Sequence, residues 1–389
     1  MIANASRSRL RGEDSASAMQ RGTSDTRNPQ MRGQRRGGGG PTVADVARAA
    51  GVSPMTVSRV VNREANVLPA TRDKVTAAIA ALGYVPNRAA RSLAGGQQCR
   101  IALLHNNPSA TYLSALLMGA LDGVRAAEAE LIVEQHATGD SFETLVARLT
   151  AHRVDAVLLP GPLCDDRALL AALRDAGLPI AQVSTGRPEA FAHAVTIDDE
   201  GAAHAVTRRL TGLGHRRIGL IGGHPGLTAS ALRRTGYVRA LREAGLDADP
   251  ALIVPGDFTY RSGLAGAERL LALPIRPTAI FASNDDMAAA VVSVASRRGL
   301  EVPRDLSVCG FDDIALATSV WPELTTIHQP VAEMAGNAIR LLAASVRRRG
   351  DSPGTRHVRH AYTLVVRGSD GPPGPHDRTS GGAATTPWR

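Results

Sequence analysis

The sequence predicts a small all-α helix-turn-helix head joined to a long α/β body with parallel sheets. Three observations lead there. Residues 42–62 (TVADVARAAGVSPMTVSRVVN) place apolar residues at helical spacing on both sides of a glycine turn. From residue 100 to 367, short apolar runs alternate with longer segments of helical period, the pattern of strands flanked by helices on both faces. Charge is concentrated at one end: residues 1–100 carry 16 Lys and Arg against 6 Asp and Glu, and the remainder 29 against 30. The formal net charge of +9 therefore sits in the first quarter, which points to a nucleic-acid-binding end on a neutral body.

Residues 1–40 are rich in Ser, Arg and Gly and end in four glycines, so a disordered basic arm is expected, with Met19 and Met31 as alternative translation starts. The head spans 41–86. Val43, Val46, Ala47 and Ala50 share one helical face, and Gly51 suits the positive φ that ends a helix. Ser53 is a strong N-cap, and Pro54 fits the first turn of a second helix that buries Val57, Val60 and Val61. A third helix, 71–82, closes the core through Val75, Ala78, Ile79 and Leu82, with Leu68-Pro69 before it in place of a capping side chain. Residues 87–99 form a connector.

In the body, strands are expected at 100–104, 131–134, 156–159, 180–183, 217–221, 279–282, 306–309 and 363–366. Helices are expected at 113–127, 199–213 and 285–298, among others. Ligands of such sheets bind beyond the carboxyl ends of the strands. The Gly- and Pro-rich stretch 368–389 reads as a disordered tail.

The inventory also excludes. No stretch approaches the roughly 20 apolar residues of a membrane span, and the first forty residues lack the apolar core of a secretory signal, so a cytoplasmic protein is expected. Cys99, Cys164 and Cys309 lie far apart, which indicates neither a disulfide framework nor a metal site. With Lys74 as the one lysine, no GxxxxGK[ST] phosphate loop exists. No His is followed by Glu, no GxSxG occurs, and 219–223 (GLIGG) lacks the GxGxxG spacing. No enzyme, cofactor or metal is expected.

The motifs DVARAAGVSPMTVSRVVN and TRDKVTAAIAALGYVPNRAARSLAGG resemble the head of the lac repressor (LacI/GalR) family of bacterial transcription regulators. The resemblance continues through HAVTIDDEGA, LGHRRIGLIGG, PTAIFASNDDMA, DLSVCGFDD and PELTTIHQP, over about 41–367. It implies a two-lobed, periplasmic-binding-protein-like (type I) effector body. One lobe would be about 100–196 plus 331–358, the other about 197–330 plus 359–367.

For the head, the resemblance implies a second helix in the major groove. Pro54, Met55, Thr56 and Arg59 then reach base edges, Arg59 toward a guanine and Pro54 and Met55 through apolar contact. Ser53, Thr56, Ser58 and Asn62 suit phosphates, and Thr42 joins the DNA-facing set. In the connector, NRAARSLA resembles the family's hinge helix, with Asn87, Arg88 and Arg91 at the DNA and Leu93 as a wedge in a central minor-groove step.

For the body, it implies an effector between the lobes. Arg233 would donate a bidentate pair to vicinal hydroxyls, Asp312 and Asn284 would bond adjacent ones, and Phe258 would offer an apolar face. Ser184 and Gln329 complete the polar set. From the first lobe, His105, Asn106, Asn107 and Tyr112 would face the cleft. Asp285 reads as the cap of the following helix.

The function implied is a repressor binding a palindromic operator as a homodimer, controlled by a sugar or sugar derivative. The helix 113–127 is the candidate dimer contact, with packing of Leu116, Leu117 and Leu121 on the sheet as the alternative reading of its leucines. No leucine heptad follows Arg367, so no coiled-coil tetramer is expected. An activator or dual regulator with a sugar-acid or purine effector is the alternative. A solute-binding protein is a distant one, since it explains neither the head nor the missing signal.

Overall fold

The structure, a computed structural model, describes residues 41–61, 66–84, 99–107, 109–136, 139–348 and 354–374. The chain divides into two compact units, 1–94 and 95–389. The expected arm, Asn62 and the whole hinge set (Asn87, Arg88, Arg91, Leu93) lie outside the described residues.

In the first unit, α1 (Val43–Ala50) opens on a reciprocal cap: the Thr42 hydroxyl accepts from the Asp45 N–H, and the Asp45 carboxylate accepts from the Thr42 N–H. Gly51, at φ +64°, ends it. α2 (Pro54–Val61) starts where the Thr56 N–H donates to Ser53 Oγ at 3.2 Å. α3 (Pro69–Leu82) has no side-chain cap at Leu68, and the proline at its first position has no N–H to satisfy there.

Val46, Ala47, Val57, Val60, Val75, Ala78 and Tyr84 form the core of this unit. Leu82, expected there, is 37% exposed instead. The reason is the turn at Gly83, where the Tyr84 N–H bonds to the Ile79 carbonyl and the Gly83 N–H to that of Ala80. This Schellman geometry folds the residue after the glycine back onto the helix, so Tyr84 fills the place assigned to Leu82.

The second unit holds two parallel sheets. Its elements in order begin β1 (Arg100–His105), α4 (Ala110–Ala127), β2 (Glu130–Gln135), α5 (Phe142–Ala151), β3 (Ala156–Pro160), α6 (Arg167–Asp175), β4 (Ile180–Val183) and β5 (His193–Thr196). Then come α7 (Asp199–Gly212), β6 (Ile218–Ile221), α8 (Thr228–Glu243), β7 (Ile253–Val254), α9 (Tyr260–Leu271), β8 (Ala279–Ala282), α10 (Asp285–Arg297) and β9 (Ser307–Cys309). Last are β10 (Thr326–His328), α11 (Val331–Arg347), β11 (His357–Arg359) and β12 (Thr363–Val365).

One sheet has the order β11-β5-β4-β3-β1-β2 and the other β7-β6-β8-β9. Their ladders are all parallel, and β10 and β12 pair antiparallel. The two sheets define two lobes, and the chain crosses between them after β5, β10 and β11. A glycine lets the helices of each lobe approach closely. A Cβ on Gly119 of α4 would lie 2.0 Å from the Ala332 carbonyl of α11, and one on Gly236 of α8 would lie 2.1 Å from that of Glu200 in α7. Among the described residues no helix is long and apolar enough to cross a membrane.

Residues 368–374, expected to belong to a disordered tail, pack against the second lobe instead. The Val308 N–H of β9 donates to the Ser369 carbonyl at 2.8 Å, and the Arg209 Nε donates to the Asp370 carboxylate at 2.6 Å. The Gly371 carbonyl accepts from Ser307 Oγ at 2.9 Å, and Ser369 is fully buried. Composition misled here: glycines and prolines that mark loose chain also allow a close-fitting extended strap.

Candidate functional site

Two surfaces concern function. In the first unit, α2 turns Val57 and Val60 inward, so Pro54, Met55 and Arg59 stand on the outer face. Met55 is 63% exposed, high for a large apolar side chain, and Arg59 lies one turn further along the same face. Thr56 and Ser58 flank them half-buried, with the Ser53 and Thr56 hydroxyls 2.9 Å apart. Thr42 is exposed, but its side chain is engaged by Asp45.

In the second unit, a cavity between the lobes is lined by Asn107, Ser109, Tyr112, Ser184, Leu227, Arg233, Phe258, Asn284, Asp312 and Gln329. Most of these follow the carboxyl end of a strand in one lobe or the other, where parallel sheets place their ligand sites. The structure thus brings together eight side chains expected from sequence: Asn107, Tyr112, Ser184, Arg233, Phe258, Asn284, Asp312 and Gln329. His105 and Asn106 are not among the lining residues. The Ser109 N–H bonds to Asn107 Oδ1 at 2.8 Å, and this turn presents Asn107 and Ser109 to the cleft instead. Ser109 and Leu227 were missed by sequence reasoning.

Arg233, on α8, is 3% exposed and held on several sides. Its Nε donates to Asp199 Oδ1 at 2.8 Å and a terminal nitrogen to the Ser283 carbonyl at 2.5 Å. That nitrogen lies 3.9 Å from Asp312 Oδ1, and the guanidinium carbon sits 3.5 Å from the centre of the Phe311 ring. Asp312 accepts from Gln329 Nε2 at 2.7 Å. Burial, with the charges of Asp286 and Asp199 adding and Arg233 opposing, pushes its carboxyl up to about 7.

On the other wall, the Tyr112 hydroxyl is 2.9 Å from that of Ser184, and burial raises its pKa. Asn284 caps α10, its Oδ1 accepting from the Met287 N–H while its Nδ2 donates to the Phe258 carbonyl. The capping role expected of Asp285 is therefore Asn284's. Asp285, one residue on, points inward and accepts from the Ile314 N–H and the Thr326 hydroxyl.

The cleft is strained and tight. Ser184, Phe258 and Asp312 have φ of +61°, +70° and +107°, a region that costs a non-glycine residue roughly 1–3 kcal/mol. Such outliers gather where geometry matters to function. Free volume is about 30 Å³, room for roughly two waters. Gln329 Oε1, Asp199 Oδ2 and Ser230 Oγ are buried there or close by with no hydrogen-bond partner.

The family model described as "Bacterial regulatory proteins, lacI family" matches residues 42–87, and "Periplasmic binding protein-like domain" matches 207–369. Catabolite control protein A of Priestia megaterium is 35% identical over 304 residues, 77% of this chain and 91% of that protein. The HTH-type transcriptional regulator CelR of Thermobifida fusca is 38% identical over 309 residues, 78% and 91% of the two chains. Among solved structures, a transcriptional regulator CelR–cellobiose complex aligns with TM-score 0.65 at 34% identity, over 85% of this chain and 99% of that one. The lac repressor dimer bound to operator and the anti-inducer ONPF aligns with TM-score 0.68 at 28% identity, over 86% and 100%.

Proposed function

This chain belongs to the lacI family of bacterial regulatory proteins, and on that premise we propose that it binds a palindromic operator as a homodimer, under control of a small hydroxyl-rich effector between its lobes. It is a transcriptional regulator of the helix-turn-helix type. It acts by binding rather than turnover, in the bacterial cytoplasm at the nucleoid. The observation that carries the effector reading is the cavity itself, where polar side chains from both lobes converge at the carboxyl ends of both sheets.

The chemistry favours a neutral sugar. Arg233 is the one guanidinium among the lining residues, and Asp199 already holds it. A carboxylate or phosphate would meet Asp312 with no spare cation beside it. Hydroxyls would instead donate to Asp312 and to the unpartnered Gln329 Oε1, while Phe258 offers a ring face. The cellobiose bound by the related CelR is of this class. A thermal-shift screen of the full chain against sugars, sugar acids and purines tests it. A binder at a hundredfold excess over its Kd stabilises by about 2.7 kcal/mol. Stabilisation by acids or purines and by no neutral sugar overturns the assignment.

Two further expectations concern assembly and DNA. On α4, Leu116 is fully buried against the sheet, so the dimer contact proposed for this helix falls to Met118 and Leu121, both exposed. Light scattering should give twice the chain mass. A tetramer that falls to a dimer on removal of 375–389 would contradict the expectation that no coiled coil follows Arg367. Leu93→Ala should weaken operator binding about tenfold or more, through loss of the intercalating wedge, and leave nonspecific binding unchanged. Equal operator affinity for variant and parent removes the wedge.

A further inference from the structure

The cleft is fastened on both sides by carboxylates that cross from one lobe to the other. Helix α8, which carries Arg233, is preceded by Leu227, whose side chain cannot cap it. Its cap comes from the opposite lobe: the Thr228 N–H and hydroxyl both donate to Asp165 Oδ2 at 2.7 Å. Asp165 lies in the short turn Leu163–Asp165 after β3, and its other oxygen accepts from the Thr185 hydroxyl at 2.6 Å. The Gly186 N–H, also of the first lobe, donates to the Thr228 hydroxyl at 2.7 Å.

The other fastening runs in the reverse direction. Asp286, in the first turn of α10, accepts from Ser109 Oγ at 2.5 Å and from the Thr111 hydroxyl at 3.1 Å. Ser109 is the N-cap of α4, in the first lobe. Each lobe therefore sets a carboxylate at the amino end of a helix in the other, where the helix dipole favours negative charge. Ser109, from one fastening, and Leu227, the neighbour of Thr228 in the other, line the cavity between them.

We propose that Asp165 and Asp286 are positioning residues, a reciprocal pair of cross-lobe clasps that hold the cleft closed. Neither lines the cavity, so they act through the lobes rather than through the effector. The two clasps flank the cavity, so widening the cleft to admit an effector requires that they give way. Binding energy is then set against two groups of charge-assisted hydrogen bonds, and the sites on either side of the cleft are coupled. This rests on the reading of the cleft as the effector site. The test uses the full chain without effector, so failure of the clasps leaves that reading standing, and a failed ligand screen leaves the clasps standing.

Hydrogen exchange of Asp286→Ala and Asp165→Ala distinguishes a clasp from a local contact. Opening one clasp should speed exchange roughly tenfold or more at the other: residues 226–231 in Asp286→Ala, and 109–113 in Asp165→Ala. Asp286→Asn, which keeps one acceptor oxygen, should fall between Asp286→Ala and the parent. If Asp165→Ala does not fold, the two Asp286 variants carry the test alone. Faster exchange confined to the segments each aspartate touches overturns the proposal.

Discussion

Asp312→Asn should make the protein more stable above pH 7 and weaken effector binding about tenfold. Asp312 is 5% exposed, and its carboxyl is pushed from 3.8 up to about 7, chiefly by burial. The folded-state pKa thus lies above the unfolded one. Between pH 4 and 7 the folded protein holds a proton that the unfolded chain has lost, so this group's contribution to stability falls as pH rises through that window. Above pH 7 the buried charge costs roughly 2–4 kcal/mol, which the neutral amide avoids.

Melts of variant and parent at pH 5 and pH 8 read this directly, because every other titrating group is common to both. The stability gap in favour of the variant should be wider at pH 8. An equal gap at the two values sinks the argument. Binding falls because a charge-assisted hydrogen bond becomes a neutral one, while the amide oxygen can still accept from Gln329.

Arg233→Ala should be a folding variant rather than a clean effector variant. From sequence alone Arg233 is a donor waiting for hydroxyls. In the structure it already neutralises Asp199, which is 1% exposed and whose second oxygen has no partner. Removing one member of a buried ion pair strands the other, at a cost of about 3–5 kcal/mol. The Ser283 carbonyl loses a donor and Phe311 its stacked guanidinium as well.

The expected drop in Tm is roughly 6–15 °C. Lys is no substitute, because an ammonium cannot spread across the Phe311 ring and the two acceptors together. Arg233→Met combined with Asp199→Asn removes both charges and should recover much of the loss. A single variant as stable as the parent shows that Asp199 is satisfied some other way.

What the sequence revealed and what it hid follow from the same physics. β4 and β8 were legible to the residue, because strands covered on both faces read as unbroken apolar runs. β5 and β11 were not. Their His193, Thr196 and His357 look like loop residues, yet His193 bonds Ser345 and Thr196 bonds His357 at 2.8 Å.

Helix α4 begins at Ala110 rather than 113, since apolar periodicity is blind to a first turn defined by its cap, Ser109. The same cap was one of the two lining residues that sequence reasoning overlooked. Residues whose side chains carry binding chemistry, such as Asp312 and Phe258, were legible one by one through resemblance. The clasps were not, because Ser109 and Asp286 stand 177 positions apart and neither has a local pattern that points to the other.

The strap at 368–371 has a consequence for handling the molecule. β9 is the outer strand of its sheet, and an outer strand with free backbone groups invites pairing with another chain. Here the Val308 N–H is taken by the Ser369 carbonyl, and the Ser369 hydroxyl donates to the Val308 carbonyl. A chain cut at Arg367, two residues past the last strand, would lose that cover and offer its edge for edge-to-edge aggregation. One cut after Gly374 would keep the edge sealed, and a purification tag belongs beyond that point.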